Sequence, residues 1–408
     1  MLSSERKIAL EKNIWKYYIM RTSAKRLIWP ILTIFLVRNS LTLAEIGIIF
    51  SAGTLIGLLC EVPSGMIADK TGRRYALTIA FTGQAISMFL FWQAGGFWGF
   101  MVANALYYLA GTLMTGTSEA FIYETLHELG REKEIKKVTG RAVFIAQVFT
   151  GFLFVGVPFI AKFSLTLPFL INTFVFIGTA LLVFSFCEPV HVESVAEAEL
   201  GKDNLGFKTF LTHPLLLSFS LGLSFIGGIN GILEDFRQVY LDFIHVDIVY
   251  FGFIYLGLRI LTGSFGTQAD FFEKHLGKRG ALLFLPFISL ITYIGLFYCN
   301  SLYGLIFIML DGITGGLARP FEQEYLQKMI THVNRVTLLS IDNMIQGVIR
   351  AGAVLLGGFV ISSYGIQAGF LFAAGLILFF AIPFLLLFLH RATHQGMFDL
   401  SKPPEPAQ

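Results

Sequence analysis

Five ionisable side chains stand deep inside long apolar runs of the sequence: Lys25, Arg26, Arg259, Asp311 and Arg350. A charge in such surroundings costs about 2.5 to 3.5 kcal/mol on insertion scales, so each calls for water, a partner or a ligand. Asp311 is the one acid among them, and a carboxyl there is suited to taking up and releasing a proton. Four cations opposite one acid suggest an anionic substrate or moiety. A plainer reading pairs Asp311 with Arg350 or Lys25 and leaves it only to hold helices together. Asn230, with Asn104, Gln147 and Gln238, adds amides that most often bond a neighbouring helix.

The elements that must position these groups follow from composition. The chain has 408 residues, 55% hydrophobic and only 14% charged, against about 25% charged in soluble domains. About 20 apolar residues cross a bilayer as a helix, and twelve such spans are predicted: Tyr17–Val37, Ile46–Ile67, Ala76–Gln93, Phe97–Ser118, Ala142–Ala161, Leu167–Phe186, Pro214–Asp235, Ile248–Ala269, Ala281–Cys299, Leu302–Phe321, Thr337–Ser362 and Gln367–Leu389. A β-barrel needs short alternating segments, which the unbroken run Leu376–Leu389 contradicts. The expected fold is an all-α membrane protein.

At about 1.5 Å per residue, Lys25 and Arg26 lie roughly 12 to 14 Å into span 1, Asp311 about 14 Å into span 10, and Arg259 and Arg350 about 17 and 20 Å into spans 8 and 11. Arg21 lies shallow enough to snorkel. Glu234 and Asp235 are placed at the outer mouth of span 7 and Arg319 at the inner end of span 10, where solvation explains them.

With a cytoplasmic N-terminus, the outer loops hold only Arg38, Lys162 and Arg237 of the 30 Lys and Arg; six lie in spans and 21 inside. That is the positive-inside pattern. Both termini are therefore expected in the cytoplasm, with the chain in the cell (inner) membrane. The +3 net charge is dispersed among loops without aromatic interleaving, which argues against nucleic acid. Cys60, Cys187 and Cys299 are too few and too scattered for a disulfide framework or a zinc site. The first apolar run holds Arg21, Lys25 and Arg26 and lacks a small-residue cleavage site, so it is expected to stay as span 1.

The longest polar stretch, 187–213, divides the spans six and six. Residues 1–186 are expected to form an N-terminal bundle, 187–213 a cytoplasmic linker, and 214–408 a C-terminal bundle with a short tail. Gly65 and Asp69 recur as Gly266 and Asp270, followed by Gly277-Lys278-Arg279. Phe121, Glu124 and Leu126 recur as Phe321, Glu324 and Leu326. The shared offset of 200 to 201 residues indicates an internal repeat.

Gly65-Met-Ile-Ala-Asp69-Lys70-Thr-Gly72-Arg73-Arg74 fills every position of G-x-x-x-D-[RK]-x-G-[RK]-[RK], the signature between helices 2 and 3 of the major facilitator superfamily (MFS). The chain resembles that family also in length, in its six-plus-six layout, and in Arg335-Val-Thr-Leu-Leu-Ser340 at the entrance to span 11. The resemblance implies two six-helix bundles, with spans 3, 6, 9 and 12 outermost; those four contain no charge as drawn. It also implies that Asp69 and Arg73 form a conformational latch with an acid at the inner end of span 4, for which Glu124 is the first candidate and Glu119 the second. Lys70, Arg73 and Arg74 would serve as topology signals in any case. Gly151 to Pro158 only faintly suggests the antiporter motif of the drug-efflux branch, which puts drug/proton exchange in doubt.

No nucleotide loop, metal motif or nucleophile elbow competes. The expectation is a secondary transporter rather than an enzyme, without cofactor or metal, moving a small molecule by alternating access between the bundles. It is expected to be proton-coupled and to act as a monomer. An uncoupled facilitator, a lipid flippase and a membrane sensor on the same fold are the rivals.

Overall fold

Proline and glycine set where the apolar runs bend and break. The computed structural model describes residues 3–191, 210, 212–329 and 335–394. Most of the expected linker, the tail after 394 and residues 330–334 lie outside the described residues, as do the side chains of 335–337. The helices are α1 (Ser4–Ser23), α2 (Leu32–Arg38), α3 (Leu43–Thr71), α4 (Arg73–Gln93), α5 (Gly96–Thr112), α6 (Thr117–Glu128), α7 (Ile135–Phe163) and α8 (Leu167–Phe184), then α9 (Pro214–Phe243), α10 (Phe251–Gly266), α11 (Ala269–Tyr298), α12 (Gly304–Met329), α13 (Arg335–Tyr364), α14 (Ile366–Leu376) and α15 (Ile382–His394). Among the described residues, eleven helical segments are long and apolar enough to cross a membrane, α5–α6 and α14–α15 each counting as one, and Trp29–Arg38 is a shorter apolar helix. This agrees with a twelve-helix bundle protein.

Two compact units emerge: Met1–Val192 with Asp247–Leu256, and Glu193–Val246 with Gly257–Gln408. In the first, α4 packs on α8 and α5, α3 on α5, and α1 on α7. Phe91 and Phe169 stack with centroids 5.6 Å apart, and Phe35 meets Phe100 edge-on at 5.6 Å. In the second, α9 packs on α13 and α11 on α12. Gly228 makes the α9–α13 approach possible, because a Cβ there would come within 2.9 Å of the Arg350 backbone nitrogen.

Span 1 differs from expectation. Its helix begins at Ser4, capped by the Ser3 hydroxyl, and stops at Ser23. The chain then turns through residues 24–28, and a 3-10 turn at Trp29–Ile31 leads into α2. Pro30 accounts for the break: it offers no N–H and its ring would collide with the carbonyl four residues back. The Leu27 N–H freed by the turn donates to Asn172 Oδ1 at 3.0 Å.

Span 7 runs eight residues past its expected end, as α9 reaches Phe243 rather than Asp235. The charges at 234, 235 and 237 look like a helix end in sequence, yet the structure neutralises them internally. Arg237, expected in an outer loop, is thus a helical residue only 5% exposed.

Gly72 separates α3 from α4 at φ +93°, ψ 147°, and Gly277 interrupts α11 at φ +69°, ψ 161°. Both values fall in a region that only glycine occupies readily. The two glycines are the matching positions of the expected repeat, in which Gly277 follows an insertion, and both stand at a turn between helical segments. Gly72→Ala is expected to cost about 1–3 kcal/mol and to lower the melting temperature in detergent. A Cβ there would also press on the Glu188 carboxylate at 3.1 Å.

Candidate functional site

The signature residues gather in the first unit around the Gly72 turn. Asp69, in the last turn of α3, pairs with Arg73 at the start of α4. They lie on two helices joined by Gly72, not on one face of a single helix. Glu124, on α6 and only 2% exposed, has its Oε1 3.5 Å from Arg73 Nε and 2.8 Å from His191 Nδ1. Glu119 is not part of this cluster, since it is exposed and binds Arg21 at 2.9 Å. The spacing explains the difference: five residues of helix separate the two acids, which turns them to opposite sides. Lys70 is exposed, and Gly65 has nothing close to where a Cβ would stand.

Sequence reasoning missed Glu188. Its carboxylate accepts from the backbone nitrogens of Arg73 (2.7 Å) and Arg74 (2.9 Å), capping a helix that lacks a side-chain cap of its own. A carboxylate at a helix N-terminus also meets the positive end of the dipole. The surrounding strand is tied down repeatedly: Asn13 bonds the Cys187 backbone in both directions (2.8 and 3.0 Å), Val190 N donates to Glu128 (2.8 Å), and Arg6 pairs with Glu128. No local pattern marks Glu188, because its partners lie more than a hundred residues earlier.

Arg26 stands at the break in span 1 and is 5% exposed. Its guanidinium lies 4.3 Å from the Tyr107 ring centroid and 4.9 Å from that of Phe91, and Nη1 donates to Asn104 Oδ1 at 3.3 Å. Asn104 Nδ2 in turn donates to the Ile49 carbonyl at 2.8 Å, linking α5 to α3. Desolvated cation–π contacts of this kind are worth about 2 kcal/mol. Lys25, its neighbour, is half-buried.

The second unit holds Asn230, Arg259, Asp311 and Arg350, and supplies partners that were not expected. Asp311 on α12 pairs with Arg237 at 2.7 Å, in place of Arg350 or Lys25. Arg350 on α13 binds Glu234 (2.6 Å) and Asp235 (3.2 Å) of α9, and Arg259 interacts electrostatically with Glu234. Residues 230, 234 and 237 fall on one stripe of α9 at i, i+4, i+7. Gly231, beside them, lets Arg350 lie against the helix, with its Cγ 3.0 Å from where a Cβ would be. Asn230 Oδ1 meets the buried Tyr293 hydroxyl at 3.1 Å.

Glu234 and Asp235 are both ion-pair partners of Arg350; Asp235 is buried at 4% exposed, whereas the Glu234 side chain is 43% exposed and keeps contact with solvent. Three arginines face three carboxylates in this unit, so the cations within it are balanced, while Lys25 and Arg26 stand in the first unit.

A second carboxyl pair has no place in the reading of the sequence. Asp342, 3% exposed on α13, accepts the Ser220 hydroxyl of α9 and interacts with Glu322 of α12. Glu322 lies one residue past the predicted end of span 10 and Asp342 near the start of span 11, where acids pass for interfacial.

Residues 17–310 match the family model of the Major Facilitator Superfamily. The multidrug resistance protein MdtG of Salmonella typhimurium is 24% identical over 351 residues, covering 82% of this chain and 83% of that protein. Among solved structures, the nucleoside transporter NupG superposes with a TM-score of 0.75 at 15% identity, covering 94% of this chain and 99% of that one. A bacterial homolog of the human lysosomal transporter Spinster gives 0.74 at 13% identity, covering 95% and 98%. Identities this low speak for the fold alone. The family match spans most of the chain, and the complete Gly65–Arg74 signature stands at a helix–turn–helix junction of a multi-pass helical protein. The chain belongs to the Major Facilitator Superfamily, a family of membrane transporters.

Proposed function

We propose that this protein is a proton-coupled secondary transporter of small organic molecules, acting as a monomer in the inner membrane with both termini in the cytoplasm. The observation that carries the reading is the Arg237–Asp311 ion pair, with Arg237 side-chain exposure of 6% and that of Asp311 15%. While Arg237 stays beside it, Asp311 keeps its charge. When a conformational change draws the arginine off, a carboxylate in apolar surroundings takes a proton rather than stay ionised. A site that alternates between these states exchanges protons with whichever side it faces.

Asn230, Arg259, Arg350, Lys25 and Arg26 are the residues we assign to the substrate path. The Asp69–Arg73–Glu124 cluster, with Lys70, Arg74 and the glycines 65 and 72, is assigned to the latch. The name of the MdtG relatives makes structurally varied drugs the first substrates to test. Expressed in an efflux-deficient bacterium, the protein is expected to raise resistance to at least one compound of a drug panel. A protonophore at sub-inhibitory concentration should abolish the gain. Resistance that persists undiminished under the protonophore would favour an uncoupled facilitator.

A further inference from the structure

Between α4 and α8 of the first unit runs a groove of about 520 Å³. Its walls include Thr78, Ala85 and Phe89 of α4 and Thr173, Ala180 and Phe184 of α8. The threonines do not make it polar. Thr78, Thr82 and Thr173 donate their hydroxyls to carbonyls one turn back, at 2.8, 2.8 and 3.0 Å, leaving their methyl groups to the groove. The rim is open, since Phe89 and Phe184 are 44% and 55% exposed.

Length and charge identify an occupant. The two helices run antiparallel, with Tyr75 beside Phe184, Phe81 beside Phe176 and Phe91 beside Phe169. The groove follows α4 from Thr78 to Phe89, about 16 Å at 1.5 Å per residue. The groove occupies the middle of α4 (Arg73–Gln93), about half of the roughly 30 Å hydrocarbon layer, a length that an acyl chain can fill. At the Thr78 end the polarity changes. One turn before Thr78, the Arg74 guanidinium lies 5.6 Å from the Phe184 ring centroid, and the exposed Tyr75 ring lies 6.5 Å from it.

Lys16, whose ammonium is 2.6 Å from the Ser185 carbonyl, and the exposed Lys70 stand near the same end. Glu188, 4.0 Å from Arg74, opposes them, and Arg73 offsets one of its two carboxylate neighbours, Asp69 and Glu124. Three cations against two remaining acids leave this end positive by one charge. The opposite end, at Phe89 and Thr173, is apolar.

We propose that the groove binds an acyl chain of an anionic glycerophospholipid, from the leaflet on the side of the Gly72 turn, with the headgroup phosphate held at Arg74 and Tyr75. The apolar trough takes the chain, and the cations select the headgroup charge. The trough is separate from the residues assigned to the substrate path, while its headgroup end shares Arg74 and Lys70 with the latch.

The test is native mass spectrometry of the delipidated protein, titrated with phosphatidylglycerol and, separately, with phosphatidylcholine of the same chains. The first phosphatidylglycerol is expected to bind about fivefold more tightly, as one net cation near a phosphate allows. Arg74→Gln should erase the difference between the two lipids. Thr82→Trp, which fills the exposed wall of the trough, should weaken both. If Arg74→Gln melts early, the double variant Lys16→Gln/Lys70→Gln lowers the preference without touching the turn. Equal binding of the two lipids to the unaltered protein, or unchanged lipid binding in Thr82→Trp, would overturn the proposal.

Discussion

Asp311→Asn is expected to destabilise the protein by about 3–5 kcal/mol, because it strands a buried guanidinium whose partner has been neutralised. Arg237 is 5% exposed, and its Nη2 is 2.7 Å from the Asp311 carboxylate, so little water is at hand to replace the lost charge. The melting temperature in detergent should fall by many degrees and expression should drop. Removing both charges, as Arg237→Met with Asp311→Asn, should recover most of that stability, since a buried pair replaced as a pair costs little. The recovered double variant then separates folding from function. On the coupling reading it exchanges substrate across the membrane but does not accumulate it, because reorientation of a loaded site needs no proton release. A double variant that folds well and still accumulates substrate against a gradient would remove Asp311 from the coupling role.

Asp69→Asn should do the reverse, sparing the fold and slowing transport about tenfold to a hundredfold, the range set by coupling energies of 1–3 kcal/mol. Asp69 is exposed, and an exposed ion pair contributes at most about 1 kcal/mol. Arg73 would keep Glu124 at 3.5 Å, and Glu188 would still cap α4. What the variant loses is the second carboxylate that fixes the direction of the Arg73 side chain. A melting temperature within a few degrees of the unaltered protein, together with a severe loss of flux, is the expected outcome. Undiminished flux would reduce the signature to a topology signal.

Hydropathy alone placed the spans and their number, because burial in lipid leaves so strong a compositional mark. It misjudged ends wherever charge is buried rather than solvated. Glu234, Asp235 and Arg237 read as the end of a span; they are the middle of a network whose partners, Arg350 and Asp311, stand more than seventy residues away. Pro30 marks the break in span 1, but hydropathy continues smoothly across it and so draws a single span.

The signature could be read residue by residue, as a short local motif should be. Of its two candidate acids, only geometry could separate Glu124 from Glu119. Glu188, Glu322 and Asp342 escaped for a common reason. Each derives its role from partners on other helices, and neither spacing nor composition records that. Depth within its apolar run marks Asp311 in the sequence; its partner Arg237 is unmarked, because in sequence it reads as a loop residue.

The most direct test of proton-coupled transport uses purified protein in liposomes loaded with a pH-sensitive dye, with a compound identified in the resistance screen. Imposing a gradient of that compound, at zero pH gradient and with membrane potential clamped, should drive a change of internal pH. The same gradient should leave the pH unmoved in liposomes carrying the folded Arg237→Met/Asp311→Asn variant. Compound that crosses into or out of liposomes bearing the unaltered protein with no accompanying proton movement would contradict the account.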